Sequence, residues 1–211
     1  MVDRRNLRAG HGFNCSMRDS DQNDPMLAPD EADHYVSVAL EAAERGDCHA
    51  VLDALPIPVY MTDVTGAVTY WNQACVKFAG REPQLGHDRW CVTWRLYTMS
   101  GEFLPHEACP MAEAIRRRAP IRNEIAIAER PDGGRVAFRP HPTPLFDVAG
   151  RFTGAVNMLI DVTAEQCGAL ADQASRCRRL AQATNDREAS EILSAMAKGY
   201  EQSAETLKAL R

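Results

Sequence analysis

No apolar run in this chain approaches the ~20 residues that a membrane-spanning helix requires. The charged start MVDRRNLRAGHGFNCSMRDSDQNDP lacks the apolar core of a secretory leader. The cysteines number seven, an odd count, with no C-x-x-C and no spacing that suggests a disulfide framework. These absences predict a cytoplasmic protein in a reducing compartment, without a membrane partner. No basic cluster exceeds Arg116-Arg117-Arg118, and the net charge is −5, so no nucleic-acid partner is expected. The triplet reads as the solvated face of a helix. G-x-S-x-G, H-E-x-x-H and a phosphate-cradling loop are all missing, so the chain is read as a non-enzyme with no catalytic residues. No tandem repeat is evident.

What is present is ordinary globular material, 45% hydrophobic and 25% charged. The stretch Pro58–Gly80 (PVYMTDVTGAVTYWNQACVKFAG) predicts strand, turn, strand and capped helix. Val59 and Met61 fall on one face of the first strand, Tyr60 and Thr62 on the other. Asp63-Val64-Thr65-Gly66 has type I turn chemistry, Asn72 can cap the helix that follows, and Gly80 can end it.

Residues 1–28 are polar and without periodicity, which predicts a disordered tail. A helix capped by Asp30 and stopped by Gly46 fills residues 29–47, and a short helical piece runs from Cys48 to Leu55. Residues 81–110 are too rich in Pro and Gly for one long helix, and CVTWRLYTMSGEFLP holds at most a short strand or 3₁₀ segment. A helix follows Pro110. Ile121–Arg130 alternates as a half-buried strand, Pro131–Gly134 is a hairpin, and Val136 opens the return strand. Pro140, Pro142 and Pro144 delete donors along one edge, so regular pairing is expected to fade there. Gly154–Val162 is the most continuously apolar strand and belongs at the centre of the sheet. Thr163-Ala-Glu-Gln reads as a capping box. Cys167, Leu170, Ala174, Cys177 and Ala181 then recur at 3,4 spacing. After a second start at Asn185–Glu188, Ile192, Met196, Tyr200, Leu207 and Leu210 form another apolar stripe. Residues 164–211 are thus expected to form a helical hairpin, packed on the core or on a second copy.

Three motifs in order, TDVTGAVTYWN, RPDGGRV and GAVNMLIDVT, resemble the PAS family over residues 48–164. The resemblance implies an α+β fold: a five-stranded antiparallel sheet with helices on one face, here with an added N-terminal helix and C-terminal hairpin. The PAS domain itself would be residues 48–163. WCVTWRLYTMSGEFLPHEACPMAEAI is also similar to PAS modules of bacterial histidine kinases. Residues 164–211 are too few for a kinase domain and contain no histidine.

The family implies a sensory or protein-interaction module that holds a small ligand between sheet and helices, or nothing. On this implication Phe78, Trp90, Cys91, Trp94, His106, Cys109 and Met158 are ligand-pocket candidates. Asp161 and Thr163, matching the family's closing Asp-x-Thr, would relay sheet strain to the exiting helix. Cys167, Leu170, Cys177, Ile192, Met196 and Tyr200 would form the seam of a homodimer or of contact with a signalling partner. The alternative is a haem- or flavin-dependent redox, gas or light sensor. Against it, the helix MAEAIRRRA carries no histidine, leaving His106 or His87 to reach iron from the loop. Cys91 lacks the surroundings of a flavin-reactive cysteine. No metal site is expected, because His106-x-x-Cys109 has no second tight pair. No cofactor is the favoured reading.

Overall fold

The computed structural model describes residues 29–45 and 49–209. The expected tail at residues 1–28, the Gly46 stop, Cys48 and Leu210 lie outside the described residues. The helices are α1 (Pro29–Arg45), α2 (His49–Asp53), α3 (Gln73–Ala79), α4 (Pro110–Arg117), α5 (Thr163–Ala183) and α6 (Arg187–Ala209). The strands are β1 (Val59–Asp63), β2 (Val68–Trp71), β3 (Arg95–Tyr97), β4 (Phe103–Leu104), β5 (Ala126–Glu129), β6 (Arg135–Pro140), β7 (Thr143–Phe146) and β8 (Phe152–Asp161). The strands form one antiparallel sheet in the order β2-β1-β8-β6-β5-β3-β4, with β7 also paired to β8. The five expected strands are β2-β1-β8-β6-β5. The small β3–β4 hairpin extends the sheet, and β7 continues β6 along β8.

Local chemistry sets these elements. Asp63 Oδ1 accepts from the Thr65 and Ala67 N–H groups, and Gly66 N donates to Asp63 O at 3.1 Å, closing the β1–β2 turn. Asn72 is fully buried and uses four hydrogen bonds. Its Oδ1 accepts from Val59 N (3.0 Å) and Cys75 N (3.3 Å), and its Nδ2 donates to Leu52 O and Ile57 O (both 2.9 Å). One side chain thus caps α3 and ties α2 and the chain entering β1 to it. Gly80 ends α3 in the left-handed region, at φ +64°.

The sheet is buried on both faces. On one side Tyr60, Leu96, Val136, Phe138, Ala155 and Leu159 meet Cys75 and Phe78 of α3 and Met111, Ala112 and Ile115 of α4. On the other, Val59, Ala137, Val156, Met158 and Ile160 meet Val36, Ala39 and Ala43 of α1, Leu52 of α2, Cys167 of α5 and Leu207 of α6. The first is called the inner face here and the second the outer face. Their apolar burial supplies most of the driving force for the fold.

Four expectations need correction. Ile121–Ile125 is not strand: Asn123 sits at φ +63°, a conformation that leaves the pleat, and pairing begins at Ala126. The prolines do not end pairing, since Pro140 lies opposite Leu159 and Pro144 opposite Ala155. At this bend the odd-numbered His141 donates its N–H to Met158 O at 2.9 Å. The even-numbered prolines therefore lack donors only on the side away from β8. The helix α1 begins at Pro29, before Asp30. Finally, the hydroxyl of Thr163 does not cap α5; it is spent on β6.

Candidate functional site

Two places carry polar groups that the fold had to position deliberately. The first lies within the inner core. Tyr60, on the inner face of β1, donates its hydroxyl to the Trp90 carbonyl (2.9 Å) and accepts from Asn157 Nδ2 on β8 (3.0 Å). Asn157 Oδ1 in turn accepts from His141 N at 2.9 Å. The chain of bonds joins the loop before β3 to the break between β6 and β7, through two fully buried side chains. Cys91 and Cys109 flank the phenol. The Cys91 thiol lies 3.1 Å from Thr93 Oγ1, and Cys109 points at the Trp90 carbonyl at 3.8 Å. Burial disfavours the ionised form of all three groups: the Tyr60 phenol and the Cys91 thiol are pushed up, and Cys109 to about 12. Buried thiols held neutral are poor nucleophiles.

Of the expected pocket residues, Phe78, Trp90, Cys91 and Cys109 gather at this inner layer. His106 borders it, half-buried, with Nε2 3.5 Å from Thr93 Oγ1 and its basicity lowered by burial. Met158 does not belong with them, because alternation along β8 turns it to the outer face. Nor does Trp94, which is 41% exposed and stacks under the Arg95 guanidinium. Within this layer the Phe78 and Phe138 rings meet edge to face with centroids 5.4 Å apart. Among the described residues no three potential ligands cluster to hold a metal. Thr62 Oγ1 is buried there without a hydrogen-bond partner.

The second place is where the sheet hands over to the C-terminal helices. Asp161, the last residue of β8, accepts from Thr163 N at 2.8 Å. The Thr163 hydroxyl accepts from Ala137 N (3.0 Å) and donates to Ala137 O (3.3 Å), occupying both main-chain groups of one β6 residue. Arg139 of β6 pairs with Glu165 in the first turn of α5 at 2.8 Å. The helix is therefore fastened to β6 rather than simply appended to β8.

Beyond this junction α5 and α6 form an antiparallel pair. Its buried seam consists of Cys167, Ala174 and Ala181 against Ala197, Ala204 and Leu207. The Cys167 thiol reaches Ala204 O at 3.7 Å, Ser190 Oγ donates to Ala181 O at 2.9 Å, and Arg178 pairs with Glu201. Leu170, Cys177 and Tyr200 sit half-buried beside the seam. Ile192 and Met196, expected at a seam with a second copy or a partner, lie outside this intrachain seam and are largely exposed. The sequence spacing already put Ala174 and Ala181 in the α5 stripe; on α6 close helix approach brings Ala197 and Ala204 into the contact rather than the larger side chains before them. Sequence reasoning missed Tyr60 and Asn157 as a pair. The readable signal was the lone amide in the otherwise apolar run GAVNMLI.

The sequence profile described as the PAS fold matches residues 52–166. No curated protein sequence matches the chain. Among solved structures, the chain resembles a light-oxygen-voltage protein of Rhodobacter sphaeroides at 12% identity, over 76% of this chain and 93% of that one (TM-score 0.42). It resembles the PAS domain of Bordetella pertussis BvgS at 22% identity, over 64% and 96% (TM-score 0.39). It also resembles an RNA-binding light-oxygen-voltage receptor at 21% identity, over 56% of this chain but only 33% of that one (TM-score 0.40). With the profile spanning more than half of its length, and the strands in the order laid out above, the chain belongs to the PAS fold family.

Proposed function

We propose that this chain is a sensory PAS protein that acts through protein–protein contacts, with residues 48–163 as the sensing core and residues 164–211 as the output element. A change in the packing or register of the sheet reaches α5 through Thr163 and Asp161, and the α5–α6 hairpin presents that change to a partner protein. The observation that carries this reading is the double hydrogen bond between the Thr163 hydroxyl and the main chain of Ala137. Ala137 faces the outer core and its neighbours Val136 and Phe138 face the inner one, so β6 senses both layers. Any displacement of β6 must either break these bonds or carry the start of α5 along. A hollow of about 520 Å³ beside Thr163, lined by Ala164, Cys167, Gly168, Ala171 and Lys208, gives the first turns of α5 room to respond.

Coupling is measurable without knowing the natural signal. Leu159→Val loosens the inner core mildly, and hydrogen exchange along α5 and α6 then reports whether the hairpin feels it. The expected result is faster exchange in α5–α6 for Leu159→Val in the native background. With Thr163→Val the effect should vanish, and with Thr163→Ser it should return. Strictly additive effects of the two substitutions would sink the relay, since uncoupled sites add.

A further inference from the structure

The hollow of about 520 Å³ beside Thr163 lies where the sheet hands over to the helices. Its walls follow from the level at which α5 and α6 are set. The Cys167 thiol meets Ala204 O, and Ser190 Oγ meets Ala181 O. One turn back from Cys167 is Thr163, and one turn on from Ala204 is Lys208, so these two face each other across the base of the pair. Ala164, Gly168 and Ala171 follow along α5 at spacings of four and three, which keeps them on one face, and all three line the hollow. None of them carries more than a methyl group.

Gly168 is the residue hardest to explain by packing. A glycine inside a helix destabilises it relative to alanine. Close approach of a neighbouring element is the usual reason for one, yet a Cβ added at Gly168 meets nothing within 4 Å. Here the glycine keeps space open. Lys208 stands exposed at the rim. Among the described residues it makes no ion pair, since Glu201 is taken by Arg178 and Glu205, one turn before Lys208, does not pair with it. An apolar wall with a single cation selects its ligand. A bare inorganic oxyanion would be left without donors on the apolar side, and a second negative charge would have no partner. We infer that this hollow binds a small organic carboxylate with a compact apolar body. The body lies on Ala164, Gly168 and Ala171, and the carboxylate pairs with Lys208. A space of this size suits such a molecule. It lies across the sheet from the layer around Tyr60, on the side where Cys167 joins the outer core. The inference rests on the root of α5 being the relay: a ligand held between the first turns of α5 and Lys208 of α6 ties the two helices together where β6 acts on Thr163. Occupancy should therefore damp the coupling.

The probe is para-trifluoromethylbenzoate, followed by fluorine NMR line broadening on the full chain. The expected result is saturable binding in about the millimolar range, as suits so few atoms, weakening as salt is raised. Gly168→Leu fills the hollow and should cost at least about tenfold in affinity. Its far-UV spectrum should stay as in the parent and its melting temperature should not fall, because leucine is the better helix former. Lys208→Gln should weaken binding about fivefold and Lys208→Arg should retain it. Lys198→Gln, which removes another exposed cation of α6, should change nothing. The uncharged para-trifluoromethylbenzamide should bind the parent no better than the benzoate binds Lys208→Gln. Absence of saturable binding, a Gly168→Leu variant that binds as the parent does, loss of binding with Lys198→Gln, or equal binding of benzoate and benzamide would each overturn the site. None of these touches the Thr163 coupling, which is measured without ligand. Saturating probe should slow the faster α5–α6 exchange of Leu159→Val; binding that leaves this exchange unchanged would overturn the damping and spare the site.

Discussion

Trp90 lies with its ring against the backbone of Gly66 and donates its own N–H to the Gly66 carbonyl at 2.7 Å. A Cβ placed on Gly66 would meet three ring carbons, the nearest at 2.1 Å. Both residues hold positive φ, +84° for Gly66 and +68° for Trp90. The β1–β2 turn and the loop before β3 are thus built as one unit, and that unit presents the Trp90 carbonyl to Tyr60.

Gly66→Ala tests the unit. The substitution combines a left-handed backbone with a clash against a ring that cannot rotate away cheaply. A loss of about 2 kcal/mol or more is expected, read as a lower denaturation midpoint at unchanged denaturant slope. The same substitution at Gly133 is the contrast: it also has positive φ but nothing within 4 Å of the new methyl. It should cost less.

Asn72 makes a second, independent prediction. Asn72→Ala orphans the Val59 N–H and takes the amide donor from Ile57 O and Leu52 O, the latter keeping its bond from Leu55 N, at a cost of about 2–4 kcal/mol. Asn72→Asp keeps the acceptor toward Val59 and Cys75 but turns a carboxylate toward Leu52 O and Ile57 O. At neutral pH it should be at least as damaging as alanine, and it should recover as the carboxyl protonates. Equal stability of the aspartate variant and the parent at pH 7 would show that the amide donors do not matter.

These two positions also mark how far the sequence was legible. Asn72, the Asp63–Gly66 and Pro131–Gly134 turns and the apolar run of β8 could be read because their signals are local: a cap, a turn or an uninterrupted buried strand. Met158 could not be assigned to a face, because a strand buried on both sides carries no polar alternation. Thr163 matched a capping pattern, yet tertiary contact with Ala137 claimed its hydroxyl. Trp90 looked like pocket lining, and only the approach of Gly66, distant in sequence, shows it to be a strut.

His141 predicts the acid limb of stability. Burial, with the Arg122 and Arg139 guanidinium groups beside it, holds the imidazole at about 4, below its ordinary 6.5, against a smaller opposing pull from Asp33. The fold favours the neutral ring. This contribution is whole above the unfolded value and is lost as pH falls from about 6.5 through 4. His141→Gln should therefore flatten the decline of stability over that window. Parallel declines in parent and variant would assign the acid limb to other groups.

The alkaline limb belongs to the inner thiols. Burial raises Cys75 and Cys91 above the ordinary thiol value and Cys109 to about 12, with the mutual repulsion of neighbouring thiolates adding to it at Cys75 and Cys109. A group whose proton is held more tightly in the fold contributes fully below its unfolded value and loses that contribution as pH climbs toward the folded one. Stability should hold up to about pH 9 and fall beyond it. At pH 8 an alkylating reagent followed by peptide mapping should mark the half-exposed Cys177 of α5 well before Cys75, Cys91 or Cys109, which should react only as the chain unfolds. Rapid labelling of Cys91 in the native protein would mean that the layer around Tyr60 opens.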